Sequence, residues 1–134
     1  MNEESAADWA TAEFGHAVLG DPRRTRRLVE MGAALTTQPA GRITQVFEAS
    51  AQREAAYRLV GNDSFSWREV ADAMHVAAAR RAAAFEHVIV PIDGVAFTMT
   101  TRSNEFGPIC RKVHNPGAHA MTALALTPNG VTLG

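Results

Sequence analysis

The stretch His87-Val88-Ile89-Val90-Pro91-Ile92-Asp93-Gly94 decides how this chain is read. Upstream of it, apolar residues recur at helical spacing. Here they form a short continuous run rich in β-branched side chains, ending on a turn-forming pair, which predicts a strand. Working outward, the pattern divides the 134 residues into a helical part over 1–86 and a strand-forming part over 87–134, an α+β chain.

On the helical side, Ala10, Phe14 and Val18 stand at i, i+4 and i+8, with Trp9 beside them. They predict a first helix over roughly 6–18, with Ser5 as N-cap and Gly20 as its end. Asp21-Pro22 then reads as an N-cap followed by proline at the first helical position. Leu28, Met31 and Leu35 form the buried face of that second helix, which stops before Pro39. A short helix begins at Thr44 and runs through Phe47 and Glu48; another runs from Ser50 to Val60, ended by Gly61-Asn62. Two short helices with a tight break are compatible with a helix-turn-helix arrangement. Ser66-Trp67-Arg68-Glu69 fits a capping box, flanked by Phe65 and Val70 as a hydrophobic staple, and predicts a helix to about Phe85. On the other side, Val95–Thr101, Ala118–Leu126 and Val131–Leu133 read as strands, with a turn at Pro128-Asn129-Gly130. The last strand predicts a sheet cut short, and hence a truncated domain.

Composition narrows the function classes. Apolar residues are 46% of the chain, enough for a folded core, and the net charge is −1, so any nucleic-acid site must be a local cluster. The acidic, polar start is no signal peptide, and no apolar run approaches the ~20 residues that span a bilayer. One cysteine, Cys110, excludes an internal disulfide framework and fits a reducing cytosol.

Three groups of residues carry candidate chemistry. Arg23, Arg24, Arg26 and Arg27 crowd the first turns of the second helix, where the helix dipole disfavours cations and an external phosphate would be welcome. The competing reading is a solvated charged face partnered by Asp21 and Glu30. Arg53, Tyr57 and Arg58, with Arg42, form a second basic patch around an aromatic ring, suited to phosphate and base-edge contact; alternatively Tyr57 is half-buried and the arginines cover it. Asp93 ends an apolar strand, as carboxylates do in metal-dependent phosphoryl-transfer sites. Asp-Gly between apolar runs is equally a hairpin signal, and the pattern by itself favours the turn. Cys110, His114 and His119 offer three zinc ligands without a clear fourth.

Taken in order, four sets of residues resemble one known family. They are Phe14-Gly15-His16-Ala17-Val18-Leu19-Gly20-Asp21-Pro22-Arg23-Arg24 with Arg27-Leu28; Ala55-Ala56-Tyr57-Arg58-Leu59 with Asn62; Asp93 behind an apolar strand; and Gly117 with His119 before another. The set is similar to the N-terminal part of the insertion-sequence-four-type transposases, from Asp8-Trp9 to the end of the chain. The resemblance implies an all-helical domain that binds double-stranded DNA at the transposon's terminal inverted repeat. It implies, next, the first β-strands of an incomplete ribonuclease-H-like catalytic domain. Arg23, Arg24 and Arg27 would belong to the end-binding domain, and Thr44, Tyr57 and Arg58 to the region that meets the transposon end. Asp93 would be the first of three catalytic acids that hold two Mg²⁺ or Mn²⁺ ions. Gly94-Val95 stand where the family usually carries two threonines, and Pro91 lies where a central strand is expected, a place proline disfavours. The other two acids would lie beyond Gly134, so no cleavage and no stable metal binding are expected of these residues alone. Two further roles fit such a chain: an inhibitor that occupies the repeats against full-length transposase, or a non-binding remnant. A bacterial cytoplasmic, nucleoid-associated location follows from the resemblance.

Overall fold

A computed structural model describes residues 3–39, 41–99, 107–110 and 113–134. The chain divides into two compact units, Met1–Arg81 and Ala82–Gly134.

Among the described residues the first unit holds five helices: α1 (Glu3–Phe14), α2 (Pro22–Thr37), α3 (Ile43–Val46), α4 (Ser50–Val60) and α5 (Trp67–Ala82). α1 starts earlier and ends four residues sooner than its apolar spacing predicts. Gly15 donates its N–H to the Thr11 carbonyl and the helix stops there. Beyond it Ala17-Val18-Leu19 is not helical. Val18 is 81% exposed while Leu19 is 2% exposed, so the spacing of period two, and not 3.6, governs this segment. Gly20 therefore closes no helix; it supplies the left-handed φ of +75° between the segment and α2.

Asp21 caps α2 as its sequence predicts, its carboxylate accepting the Arg23 N–H at 2.8 Å. Nothing on α2 is fully buried, and Leu28, Met31 and Leu35 are half-buried. α1 packs on α2 through small residues. Ala6 and Ala10 are buried, and Gly32 of α2 lies so close to the Phe14 ring that a β-carbon there would stand 2.8 Å from it. Trp9 meets Phe14 edge-to-face, ring centres 5.9 Å apart. Burying a ring the size of Phe14 contributes about 1.5–3 kcal/mol.

α3 begins at Ile43, one residue before the predicted start, and the Arg42 N–H donates to the Gln45 side chain at 2.9 Å. α4 has the predicted bounds. The capping box of α5 is formed: the Ser66 N–H donates to Glu69 at 2.9 Å and the Arg68 N–H to the Ser66 hydroxyl at 3.2 Å. The Ser66 hydroxyl also donates to that carboxylate and does most to hold Glu69 below its ordinary value, with the Glu69 and Ser66 backbone N–H groups adding to it. Phe65 and Val70 pack with Leu28 against buried Ala17, Leu19 and Ala73. α5 stops at Ala82, short of Phe85. It is anchored to α1 twice over: Arg81 pairs at 2.7 Å with Glu13, which is only 4% exposed, and the His16 Nε2 donates to the Ala73 carbonyl just past α1's end.

Among the described residues the second unit holds a three-stranded antiparallel sheet of β1 (Ile92–Thr98), β2 (Pro108–Cys110) and β3 (Val113–Ala123), in the order β1-β3-β2. Ile92 pairs with Ala123 and Thr98 with Gly117. Here the sequence reading is corrected in several places. Val88–Ile92 is not one strand: Ile89 makes an isolated bridge to Leu126, and β1 begins only after Pro91, whose missing N–H cannot join a ladder. Asp93-Gly94 is therefore neither a strand end nor a hairpin turn but lies inside β1, Asp93 opposite Thr122. β3 starts earlier than Ala118 and stops at Ala123, and Val131–Leu133 contributes only a bridge at Thr132. The Pro128-Asn129-Gly130 turn is present: Gly130 takes φ +81° and donates to the Thr127 carbonyl.

Candidate nucleic-acid interface

The arginines of α2 enter the site through the way the helix begins. Asp21 and Pro22 fix its first turn, so Arg23, Arg24 and Arg27 project from one side at the N-terminal end. α4 supplies the facing wall. Ala51, Glu54, Ala55 and Arg58 recur at i, i+3, i+4 and i+7, one face of a helix, and Asn62 continues the row beyond its end. The two alanines leave room. The result is an open groove of about 400 Å³ lined by Arg23, Arg24, Arg27, Glu54, Arg58 and Asn62, with Leu59 and the alanines.

Each groove arginine already has an internal partner. Arg23 pairs with Asp21 at 2.9 Å, Arg27 with Glu30 at 2.6 Å and Arg58 with Glu54 at 2.5 Å, in exposed or half-buried positions, while Arg24 donates to the Leu19 carbonyl at 2.8 Å. The Arg23 side chain, and then its backbone N–H, hold the Asp21 carboxyl below its ordinary value, and Asp21 in turn raises Arg23. Such solvent-accessible pairs hold weakly, so an incoming phosphate can displace the carboxylates. Asp21 and Glu30 line a different hollow, shared with Arg26; among the described residues Glu54 is the one acid lining the arginine groove.

The remaining residues singled out by sequence do not line this groove. Arg42 and Thr44 are exposed at the start of α3, and Tyr57 is half exposed on α4. Arg53 is turned inward, its guanidinium donating to the carbonyls of Phe47 at 3.0 Å and Glu48 at 2.5 Å. Asn62 and Glu54 complete the groove but were not among the site residues read from sequence. The signal for Glu54 was its i, i+4 spacing to Arg58.

Asp93 lies in the second unit and is exposed, with its Oδ1 accepting the Gly94 N–H. Among the described residues no three His, Cys, Asp or Glu side chains, Asp93 included, gather where a metal ion would be held. The zinc reading rests on Cys110 and His114, whose side chains lie outside the described ones; the His119 ring nitrogen stands 3.0 Å from the Ile109 carbonyl. Among the described residues no helix is long and apolar enough to cross a membrane.

What the groove offers is a row of guanidinium groups at a helix N-terminus, the chemistry of a phosphate backbone's receptor. Residues 6–65, which carry every one of these arginines, match the family of transposase DNA-binding domains.

Proposed function

We propose that the helical unit binds double-stranded DNA at the terminal inverted repeat of a transposon, as the N-terminal portion of a cut-and-paste transposase of the insertion-sequence-four type. The observation that carries this reading is the convergence of Arg23, Arg24 and Arg27 from α2 with Arg58 from α4 on one groove, inside the segment that matches transposase DNA-binding domains. The order of its motifs, like that of the transposase of the composite kanamycin-resistance transposon, supports the narrower assignment. In this reading Arg42, Thr44 and Tyr57 extend the contact along the DNA, and the protein works at the bacterial nucleoid.

The sheet would open a ribonuclease-H-like catalytic domain, with Asp93 as the first of its acids. A single carboxylate cannot clamp two divalent ions, so cleavage is not assigned to these 134 residues.

The test is selection from a randomised duplex pool by the purified chain, followed by binding of the selected duplex and a scrambled one between about 50 and 200 mM salt. A sequence preference, with the salt slope reduced by about one unit each in Arg23→Ala and Arg58→Ala, is expected. A folded protein that enriches nothing and binds neither duplex would sink the reading.

A further inference from the structure

Arg53 belongs to the basic patch on α4, yet its guanidinium faces the protein. It sits in the second turn of α4 and reaches back to the Phe47 and Glu48 carbonyls, at 3.0 and 2.5 Å. Those carbonyls follow the last residue of α3, where acceptors lack helical partners. α3 is four residues long, and α4's N-cap is Ala49, which has no side-chain cap. Phe47 is buried, so the segment that Arg53 grips is itself pinned to the core. α3 carries Thr44, with Arg42 at its N-cap; α4 carries Tyr57 and Arg58.

We propose that Arg53 is a positioning residue: it contacts no phosphate, but locks α3 against α4 and so sets the spacing of Thr44 and Arg42 from Tyr57 and Arg58 along the DNA. The proposal rests on the DNA-binding reading above. Its chemistry separates it from a phosphate contact. Neutralising one phosphate releases counterions and steepens the salt slope by about 0.9, whereas a bond to a backbone carbonyl releases none.

The experiment uses the whole chain with Arg53→Met and Arg53→Lys. Each is compared with the parent on the duplex selected by the parent from a randomised pool, and on a scrambled duplex, across salt; circular dichroism follows the fraction folded. Arg53→Met should lose about tenfold of its preference for the selected duplex, the discrimination of one base contact. It should keep its salt slope and its affinity for the scrambled duplex. Arg53→Lys, which can still donate to a carbonyl, should recover part of the preference. A slope lower by about 0.9, with both duplexes weakened alike, would make Arg53 a phosphate contact and overturn the proposal. Equal weakening of both duplexes at an unchanged slope, tracking the fraction folded, would reduce it to a stabilising residue. Unchanged preference in both variants would remove it altogether. A parent that prefers no duplex fails the DNA-binding reading itself, and is distinguished by needing no variant.

Discussion

In the helical unit Ala6, Ala10, Phe14, Leu19, Phe47, Ala56 and Leu59 are buried; in the sheet unit the buried residues among those described are Leu133 and Thr127. All of β1 is exposed, including Ile92, Val95 and Phe97, and so is Met121 across from it on β3. The difference follows from geometry. A helix gathers its apolar residues on one stripe, and a few helices can close their stripes on one another. A strand sends alternate residues to opposite faces, so a single sheet encloses nothing until another layer lies on it. The candidate DNA groove is found in the unit that closes its own core, where neighbouring helices hold its walls.

Four measurements sharpen or break that comparison. The largest effect belongs to Phe14→Ala, which empties the contact between α1 and α2. The helical unit should lose about 3–5 kcal/mol in urea unfolding followed by helical circular dichroism. A loss below about 1 kcal/mol would mean that its core is not organised around this ring. Next is Gly117→Val in the sheet. A β-carbon at Gly117 runs into the Phe97 carbonyl and the Ile109 side chain, so overpacking should cost about 1–3 kcal/mol. Hydrogen exchange at β1 amides is the readout, and unchanged protection there would contradict the β1–β3 register.

A smaller effect comes from acid. Asp21 and Glu69 both have lowered carboxyl values, from ordinary values of 3.8 and 4.5, because each accepts hydrogen bonds at a helix start. A group lowered on folding adds stability above its unfolded value, and that stability is lost as pH falls through the folded one. The helical unit should therefore weaken from just above pH 4 downward, and Asp21→Asn should show a smaller drop than the parent between neutral and acid solution. Equal drops would show that the cap does not couple to the fold. The smallest effect is Glu54→Gln. Removing the one acid in the arginine groove should raise affinity for any duplex a few-fold at low salt, by withdrawing a charge that repels phosphate. Weaker binding would instead make Glu54 a contact to DNA.

The starts of helices were legible in the sequence because their chemistry is local. Asp21-Pro22 and Ser66 with Glu69 cap α2 and α5 within three residues of themselves. Ends and long-range partners were not. Val18 continues the stripe of Ala10 and Phe14 by count, yet the helix ends at a turn at Gly15 and Val18 lies outward. The pair of Glu13 with Arg81 spans 68 positions, and no spacing rule reaches that far. The same limit applies to the site. The α2 arginines stood out as a cluster, but their meeting with Arg58 and Asn62 depends on how α2 packs on α4. Arg53 looked like its neighbours in sequence and differs from them only in direction. The strand-end and hairpin placements of Asp93-Gly94 were both displaced for one reason: β1 begins after Pro91, so the aspartate falls inside the strand that was expected to end on it.

The ion pairs beside the groove also bear on the thermodynamics of binding. Arg23, Arg27 and Arg58 each hold a carboxylate in the free protein. Part of the rotamer entropy that an arginine surrenders to a ligand has been surrendered on folding. A phosphate arriving there exchanges one anion for another rather than capturing a free, fully hydrated cation. The ordering cost then shifts to the opposite side of the exchange, where Asp21, Glu30 and Glu54 return to water with their side chains released, and this gain in disorder offsets the loss suffered by the DNA.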